Sequence, residues 1–178
     1  MNIEEKTKIS KLVYECPVFK VYEDISELPN GKVAPRNWVC HNGGSGVLPI
    51  ASNGDVILVE QYRYGIAQTT LEIPAGKLEA GEDPVQCALR ELSEEVGGTA
   101  DELISLGCLA ATPAYDSEII YIFMAECGEL QQQHPDEDEF LRIHRMPFEK
   151  AIDFVMDGTI TDSKTQIALL KAYKIRKG

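Results

Sequence analysis

No part of this 178-residue chain holds the ~18–20 consecutive apolar residues that a membrane-spanning helix needs, so no membrane partner is expected. The opening segment, MNIEEKTKIS, is charged where a secretory leader would be apolar, which points to the cytoplasm. Basic residues are scarce. Lys and Arg number 17 against 29 Asp and Glu, for a formal charge of −12. A nucleic-acid backbone would need a basic patch, and the one basic run, KAYKIRKG at the end, reads as the cationic last turn of a helix. No nucleic-acid partner is therefore expected. The cysteines (Cys16, Cys40, Cys87, Cys108, Cys127) form no CxxC pair, and His41, His134 and His144 do not cluster with them. That argues against a zinc site and for reduced thiols. Internal repeats and low-complexity tracts are absent.

What is present is 44% hydrophobic residues, enough for one domain or one domain with a small appendage. The first forty residues are rich in β-branched and aromatic side chains. KLVYECPVFKVYEDI and RNWVCH read as strand, and Asn30-Gly31 is a hairpin signal. HNGGSG reads as a flexible break, placing a boundary between an N-terminal β segment (1–45) and the main domain (46–178). GVLPI and VILVEQYRY follow as core strands, LISLGCLA and IIYIFMAE as buried strands, and FLRIHRM as another strand. PFEKAIDFVMDG and TDSKTQIALLKAYKIR read as helices, the second capped by Asp162 or Ser163. Strands and helices mix without regular βαβ alternation, which predicts an α+β fold with helices on a mixed sheet.

The informative stretch is GKLEAGEDPVQCALRELSEEVGG. Glu79, Glu82, Asp83, Glu91, Glu94 and Glu95 stand there against Lys77 and Arg90 alone. Asp83 can cap a helix, Pro84 suits its first position, and Gly97 ends it. Val85, Leu89, Leu92 and Val96 recur at helical spacing as one apolar face. Glu91 and Glu95, four apart, are neighbours on the helix and are expected away from that face. Glu94 lies four after Arg90, so Arg90 should hold Glu94 and leave Glu91 and Glu95 available. Such a cluster is either a solvated acidic face or a site for a hard, oxygen-binding cation such as Mg²⁺. The acids lie toward the helix C-terminus, where the dipole disfavours them, and more acids come from the adjoining loop; both favour the cation.

Gly76, five residues, Glu82, seven residues, then RELSEEVGG resembles the Nudix box, with Gly98 standing where that pattern has a bulky apolar residue. The resemblance implies an α/β/α sandwich around a mixed sheet, with the loop and helix as a catalytic platform that hydrolyses a nucleoside diphosphate linked to a further group. It implies Mg²⁺, with Mn²⁺ as the alternative, held directly by Glu91 and Glu95 and by the backbone carbonyl of Ala75. Glu94 would be a further ligand or a supporting carboxylate, and Arg90 and Glu82 would orient the acids. VEQYRYGIAQTTLEIPAGKLEAGE, Pro113 in TPAYDSE and the β-rich N-terminus are similar to the ADP-ribose pyrophosphatase branch, although Ala114 stands where that branch commonly has glycine. In that branch the N-terminal segment is exchanged across a homodimer. DEDEF resembles its catalytic loop. Carried over on its E-x-E spacing, that resemblance implies Glu137 as the general base and Glu139 as an extra metal ligand, with Asp136 and Asp138 near enough for the assignment to slip by one.

The remaining pocket candidates carry two readings each. Arg63 would pair with a substrate phosphate or sit in a strand-end salt bridge. Trp38, the single tryptophan, would stack on adenine or pack between strands. Glu72 would bond ribose or water, or support its loop; Glu118 would reach the site from YDSE. Ser117 and Cys87 have no histidine motif beside them, so a covalent nucleophile is not expected, and Cys87 reads as buried filler. The rival enzyme reading is a nucleotide-sugar hydrolase acting, for example, on GDP-mannose. The rival class is a non-catalytic sensor with a Nudix-like domain, which would be expected to have lost the metal-binding acids that are all present here.

Overall fold

The computed structural model describes residues 2–135 and 139–178. The chain divides into two compact units, Met1–Gly43 with Ala110–Ile119, and Gly44–Leu109 with Ile120–Gly178.

The first unit is a three-stranded antiparallel sheet of β1 (Lys6–Glu15), β2 (Phe19–Glu27) and β3 (Val33–His41), in that spatial order. The β-rich run from Lys11 to Ile25 is broken at Pro17. Proline has no N–H for the ladder, and the chain turns there, with Cys16 N–H donating to Phe19 O at 3.0 Å. Asn30-Gly31 lies in the β2–β3 connection, where Lys32 N–H donates to Asn30 Oδ1 at 3.0 Å. All ten residues of β1 are exposed. The 110–119 segment is tied to β3 through Val39 N–H to Tyr115 O (2.7 Å) and Ser117 N–H to Val39 O (3.0 Å).

The second unit is built on a seven-stranded sheet ordered β10-β5-β4-β9-β8, with β6 paired to β5 and β7 to β4. The strands are β4 (Gly44–Ala51), β5 (Asp55–Arg63), β6 (Gln68–Glu72), β7 (Ala75–Lys77), β8 (Ile104–Ala110), β9 (Ile119–Cys127) and β10 (Arg142–Pro147); the helices are α1 (Pro84–Val96), α2 (Phe148–Met156) and α3 (Ser163–Lys177). β4 runs parallel to β9 and antiparallel to β5, so the sheet is mixed, as expected.

Period-two alternation on the central strands assigns the two faces. Ile57, Val59, Phe123 and Ala125 pack with Ala88, Leu92 and Val96 of α1. Val56, Leu58, Ile122 and Met124 pack with Phe148 and Ala151 of α2 and with Ala168, Leu169 and Ala172 of α3. The result is the α/β/α sandwich that the box resemblance implies.

Three local expectations need correcting. Gly44, Ser45 and Gly46 are not part of a flexible break; they are buried residues of β4, paired to β7 and β9. LISLGCLA is not a buried strand. As β8 it lies at the sheet edge and buries only Leu106. The loop read before the acidic helix, EIPAGKLEAGE, contains β7, a short run with no clear alternation.

Candidate active site

The site begins with the cap of α1. Asp83 Oδ1 accepts from Val85 N–H at 2.9 Å and Gln86 N–H at 3.4 Å, and Pro84 occupies the first turn. From there the helix buries pairs one turn apart: Cys87 and Ala88, Glu91 and Leu92, Glu95 and Val96. Glu91 and Glu95 are therefore not turned away from the apolar face. They are 6% and 2% exposed, while Val85 is at the surface. The cause is β7, which covers this flank of the helix. A Cβ on Gly76 would lie 1.7 Å from Glu91 Oε1, so any side chain there would force that carboxylate to move. One residue earlier, Ala75 N–H donates to Glu95 Oε2 at 3.2 Å.

Arg90 holds more than Glu94. Its Nε donates to Glu82 Oε1 at 3.0 Å and its Nη2 to Glu82 Oε2 at 3.2 Å. Nη1 donates to Glu94 Oε2 at 3.0 Å and to Glu91 Oε1 at 2.6 Å. Glu91 is thus engaged by Arg90 rather than left free. Glu82 in turn accepts from Glu79 N–H at 2.9 Å, so one guanidinium fastens the loop to the helix. Its bonding holds the Glu82 carboxyl below its usual range.

Burial dominates the electrostatics of the buried pair. It raises the Glu91 carboxyl to about 7 against the pull of Arg90, with Glu94 and Glu139 adding to the rise. It raises Glu95 to about 8, helped by Glu91 and Glu139 and opposed by Ala75 N–H and Lys164. Burial, then Glu82, pushes the Cys87 thiol up to about 12, which removes it as a nucleophile.

Two desolvated carboxylates one turn apart, with the Glu139 charge acting on both, suit a hard divalent cation, which would relieve the cost of ionising them. Among the described residues, no three His, Cys, Asp or Glu side chains are gathered tightly enough to hold an ion. Glu139 also lines a cavity of about 560 Å³ with Glu60, Tyr62, Phe140 and Arg142. Glu137 lies outside the described residues.

Arg63 and Glu72 meet directly. Arg63 Nε donates to Glu72 Oε1 at 2.7 Å and Nη2 to Oε2 at 2.6 Å. Glu72 is 2% exposed and also accepts from Thr70 and Lys164. Burial opposes its ionisation, but Arg63 and Lys164 outweigh that and hold the carboxyl at about 2. Trp38 and Glu118 belong to the first unit. Trp38 stacks on Tyr22 (5.0 Å between centroids, 16° between planes) and donates from Nε1 to Asp24 Oδ2 at 2.8 Å. It lines a cavity of about 320 Å³ with Asp24, Arg36 and Ala114. Glu118 lies 3.4 Å from His41 Nδ1.

The NUDIX domain family model matches residues 41–168, a span that contains α1, β7 and all the buried acids described above. The chain belongs to the Nudix family. It is 38% identical over 170 residues to an ADP-ribose pyrophosphatase of Bacillus subtilis (strain 168), covering 94% of this chain and 92% of the relative. It is also 38% identical over 169 residues to a methanol dehydrogenase activator of Bacillus methanolicus, covering 93% and 91%. A solved structure described as an ADP compounds hydrolase superposes with a TM-score of 0.87 at 25% identity, covering 100% of this chain and 97% of that one.

The departure of this Nudix box at Gly98 has a packing reason. A Cβ there would meet Cys127 Sγ at 2.8 Å and Leu92 Cδ1 at 2.9 Å, so the space that a bulky residue would fill is already taken. What sequence reading missed is the start of α3. Asp162 and Lys164 join Glu72, and Thr165 Oγ1 accepts from Ile73 N–H at 2.8 Å. TDSKT carried only a capping signal; the one further hint was a lysine on a helix that buries Ala168 and Leu169 one turn on.

Proposed function

We propose that this Nudix protein hydrolyses the diphosphate of ADP-ribose, giving AMP and ribose 5-phosphate. The observation that carries this reading is the buried Glu91–Glu95 pair, roofed by Gly76 and Ala75, in a chain similar over most of its length to a protein named for that substrate. Glu91, Glu95 and Glu139 would hold Mg²⁺ (or Mn²⁺), with the Ala75 carbonyl and Glu94 completing or supporting the set. When bound, the ion supplies charge neutralisation at the diphosphate and acidifies water. Arg90 and Glu82 keep the acids in register. Arg63 faces a substrate phosphate, with Glu72 behind it. Trp38 would stack on adenine across the dimer, and Glu118 is a further candidate contact to the substrate. Glu137 takes the proton of the attacking water. The water oxygen bonds to one phosphorus, the bridging P–O bond breaks, and the displaced phosphate leaves with its sugar or nucleoside.

The exposed strand β1, with Ile9, Leu12 and Tyr14 at the surface, supports a homodimer in which the segment 1–45 is exchanged. The free cysteines support a cytoplasmic location. No helix among the described residues is long and apolar enough to cross a membrane. The test offers ADP-ribose, GDP-mannose, a dinucleoside polyphosphate and dGTP with Mg²⁺ and separates the products. ADP-ribose should turn over best, and Glu95→Gln should lose at least ~100-fold. Preference for GDP-mannose would redirect the substrate, and turnover of none would overturn the reading. Sedimentation of the full chain checks the dimer, which Leu12→Lys should weaken.

A further inference from the structure

The N-terminus of α3 carries a group that neither the Nudix box nor the substrate reading uses. Lys164 is 8% exposed, and a lysine is seldom buried without a reason. Its ammonium donates to Glu72 and, at 3.0 Å, to Asp162 Oδ1. Glu72, 92 residues away in sequence, grips Arg63 with both oxygens. Four formal charges thus form one chain of ion pairs: Arg63 to Glu72, Glu72 to Lys164, and Lys164 to Asp162.

The arrangement has a direction. Lys164 and Asp162 are fixed by the helix start, since Asp162 Oδ2 accepts from Thr165 N–H at 2.9 Å and from Thr165 Oγ1 at 2.6 Å. Glu72 stands between that anchor and Arg63. The Arg63 side chain is 43% exposed, against 2% for Glu72 and 10% for Lys164. Its Nε and Nη2 point inward to Glu72, and among the described residues Nη1 has no acceptor. The guanidinium is therefore clamped on one edge and open on the other. Three residues after Glu72, Ala75 N–H donates to Glu95 Oε2 at 3.2 Å, so the segment from Glu72 to Ala75 serves both the clamp and the buried acids.

We propose that Lys164 is a positioning residue. By holding Glu72 it fixes the free edge of Arg63 toward a diphosphate oxygen. This rests on the diphosphatase reading for the identity of the substrate. The geometry itself requires only that the ligand carry a diphosphate.

Removing the ammonium leaves Glu72 held by Arg63 alone of the two cations and cuts its tie to the start of α3. Lys164→Met should raise KM for ADP-ribose by about tenfold or more while kcat changes by less than about threefold. The mark of action through Arg63 is non-additivity: in an Arg63→Ala background, Lys164→Met should add less than a twofold loss. Calorimetric binding of ADP without metal gives a readout independent of turnover, and Lys164→Met should weaken it by a similar factor. If Lys164→Met does not fold, as judged by circular dichroism, Glu72→Gln replaces it, with the same KM rise and the same non-additivity with Arg63→Ala. Unchanged KM and ADP binding, or losses that multiply with Arg63→Ala, would overturn the proposal. If the wild-type chain turns over no diphosphate, the substrate reading fails, and the ADP-binding comparison still decides the role of Lys164.

Discussion

Gly76 and Glu91 exclude any atom between them: a methyl group on the glycine would fall 1.7 Å from Glu91 Oε1. Glu91 is itself 6% exposed, and Arg90 holds the same oxygen at 2.6 Å, so making room costs the carboxylate its present contacts. Gly76→Ala should therefore displace the carboxylate or lift β7 from α1. Hydrolysis should fall by at least ~100-fold, the scale of a few kcal/mol in the barrier, with a loss of about 1–3 kcal/mol in stability from overpacking. Activity within a few-fold of wild type in Gly76→Ala would show that Glu91 has another place to go.

The same burial predicts how the protein responds to pH and chelation. Glu91 and Glu95 have folded-state values raised to about 7 and about 8. Below the ordinary carboxylate value both states are protonated and folding carries no penalty. As pH climbs from about 4.5 to 8, the unfolded chain ionises first, so the chelated protein should lose stability across that window. A divalent cation should bind more tightly as pH rises through 6–8, releasing protons on binding. Thermal melts with and without EDTA from pH 5.5 to 8.5 measure both effects. Glu95→Gln should flatten the profile and, in EDTA at pH 8, melt above wild type; a lower melt would count against a desolvated acid there.

Glu72 has the opposite sign. Its folded value of about 2 lies below the ordinary one because Arg63 and Lys164 hold it. The stabilisation is complete above the unfolded value and is lost as pH falls from about 4.5 toward 2. At 2% exposure this one carboxylate is worth on the order of 3 kcal/mol near neutrality. In Glu72→Gln that acid-linked part of the denaturation profile should disappear, and stability at pH 7 should fall by a similar amount as two cations lose their partner. Urea melts at pH 3 and pH 7 give both readings.

Gly98→Leu would bring the box to its usual pattern. Because Cys127 Sγ and Leu92 Cδ1 already occupy that volume, the change should destabilise by about 1–3 kcal/mol rather than help. A chemical-denaturation midpoint at or above wild type would show that the junction can open to take the side chain.

The parts of this molecule legible in the sequence are those governed by local periodicity. α1 is readable from Asp83, Pro84 and Gly97 because cap chemistry and turn spacing act over a few residues. The core strands are readable because β5 and β9 alternate between two covered faces. The environment of Glu91 and Glu95 was not readable. Spacing places them one turn apart, but their burial depends on β7 lying across the helix, and AGK has no pattern that marks it as strand. The partner choice of Arg90 escaped for a related reason: a long side chain reaches a loop, Lys77 to Glu82, whose path is set by the fold. The Glu72–Lys164 pair joins residues 92 apart, and nothing in a single sequence couples them. Glu139 could be assigned only by resemblance, since its loop is polar and aperiodic.

Cys87 lies directly beneath this machinery, fully buried, with its thiol pushed up to about 12 and its sulfur against the Gly76 and Lys77 carbonyls. A peroxide or an alkylating agent attacks thiolate, and this sulfur offers essentially none at physiological pH. The working face should keep turning over under oxidative load while the exposed Cys108 reacts: iodoacetamide should label Cys108 well before Cys87, and hydrolysis should survive that first labelling undiminished.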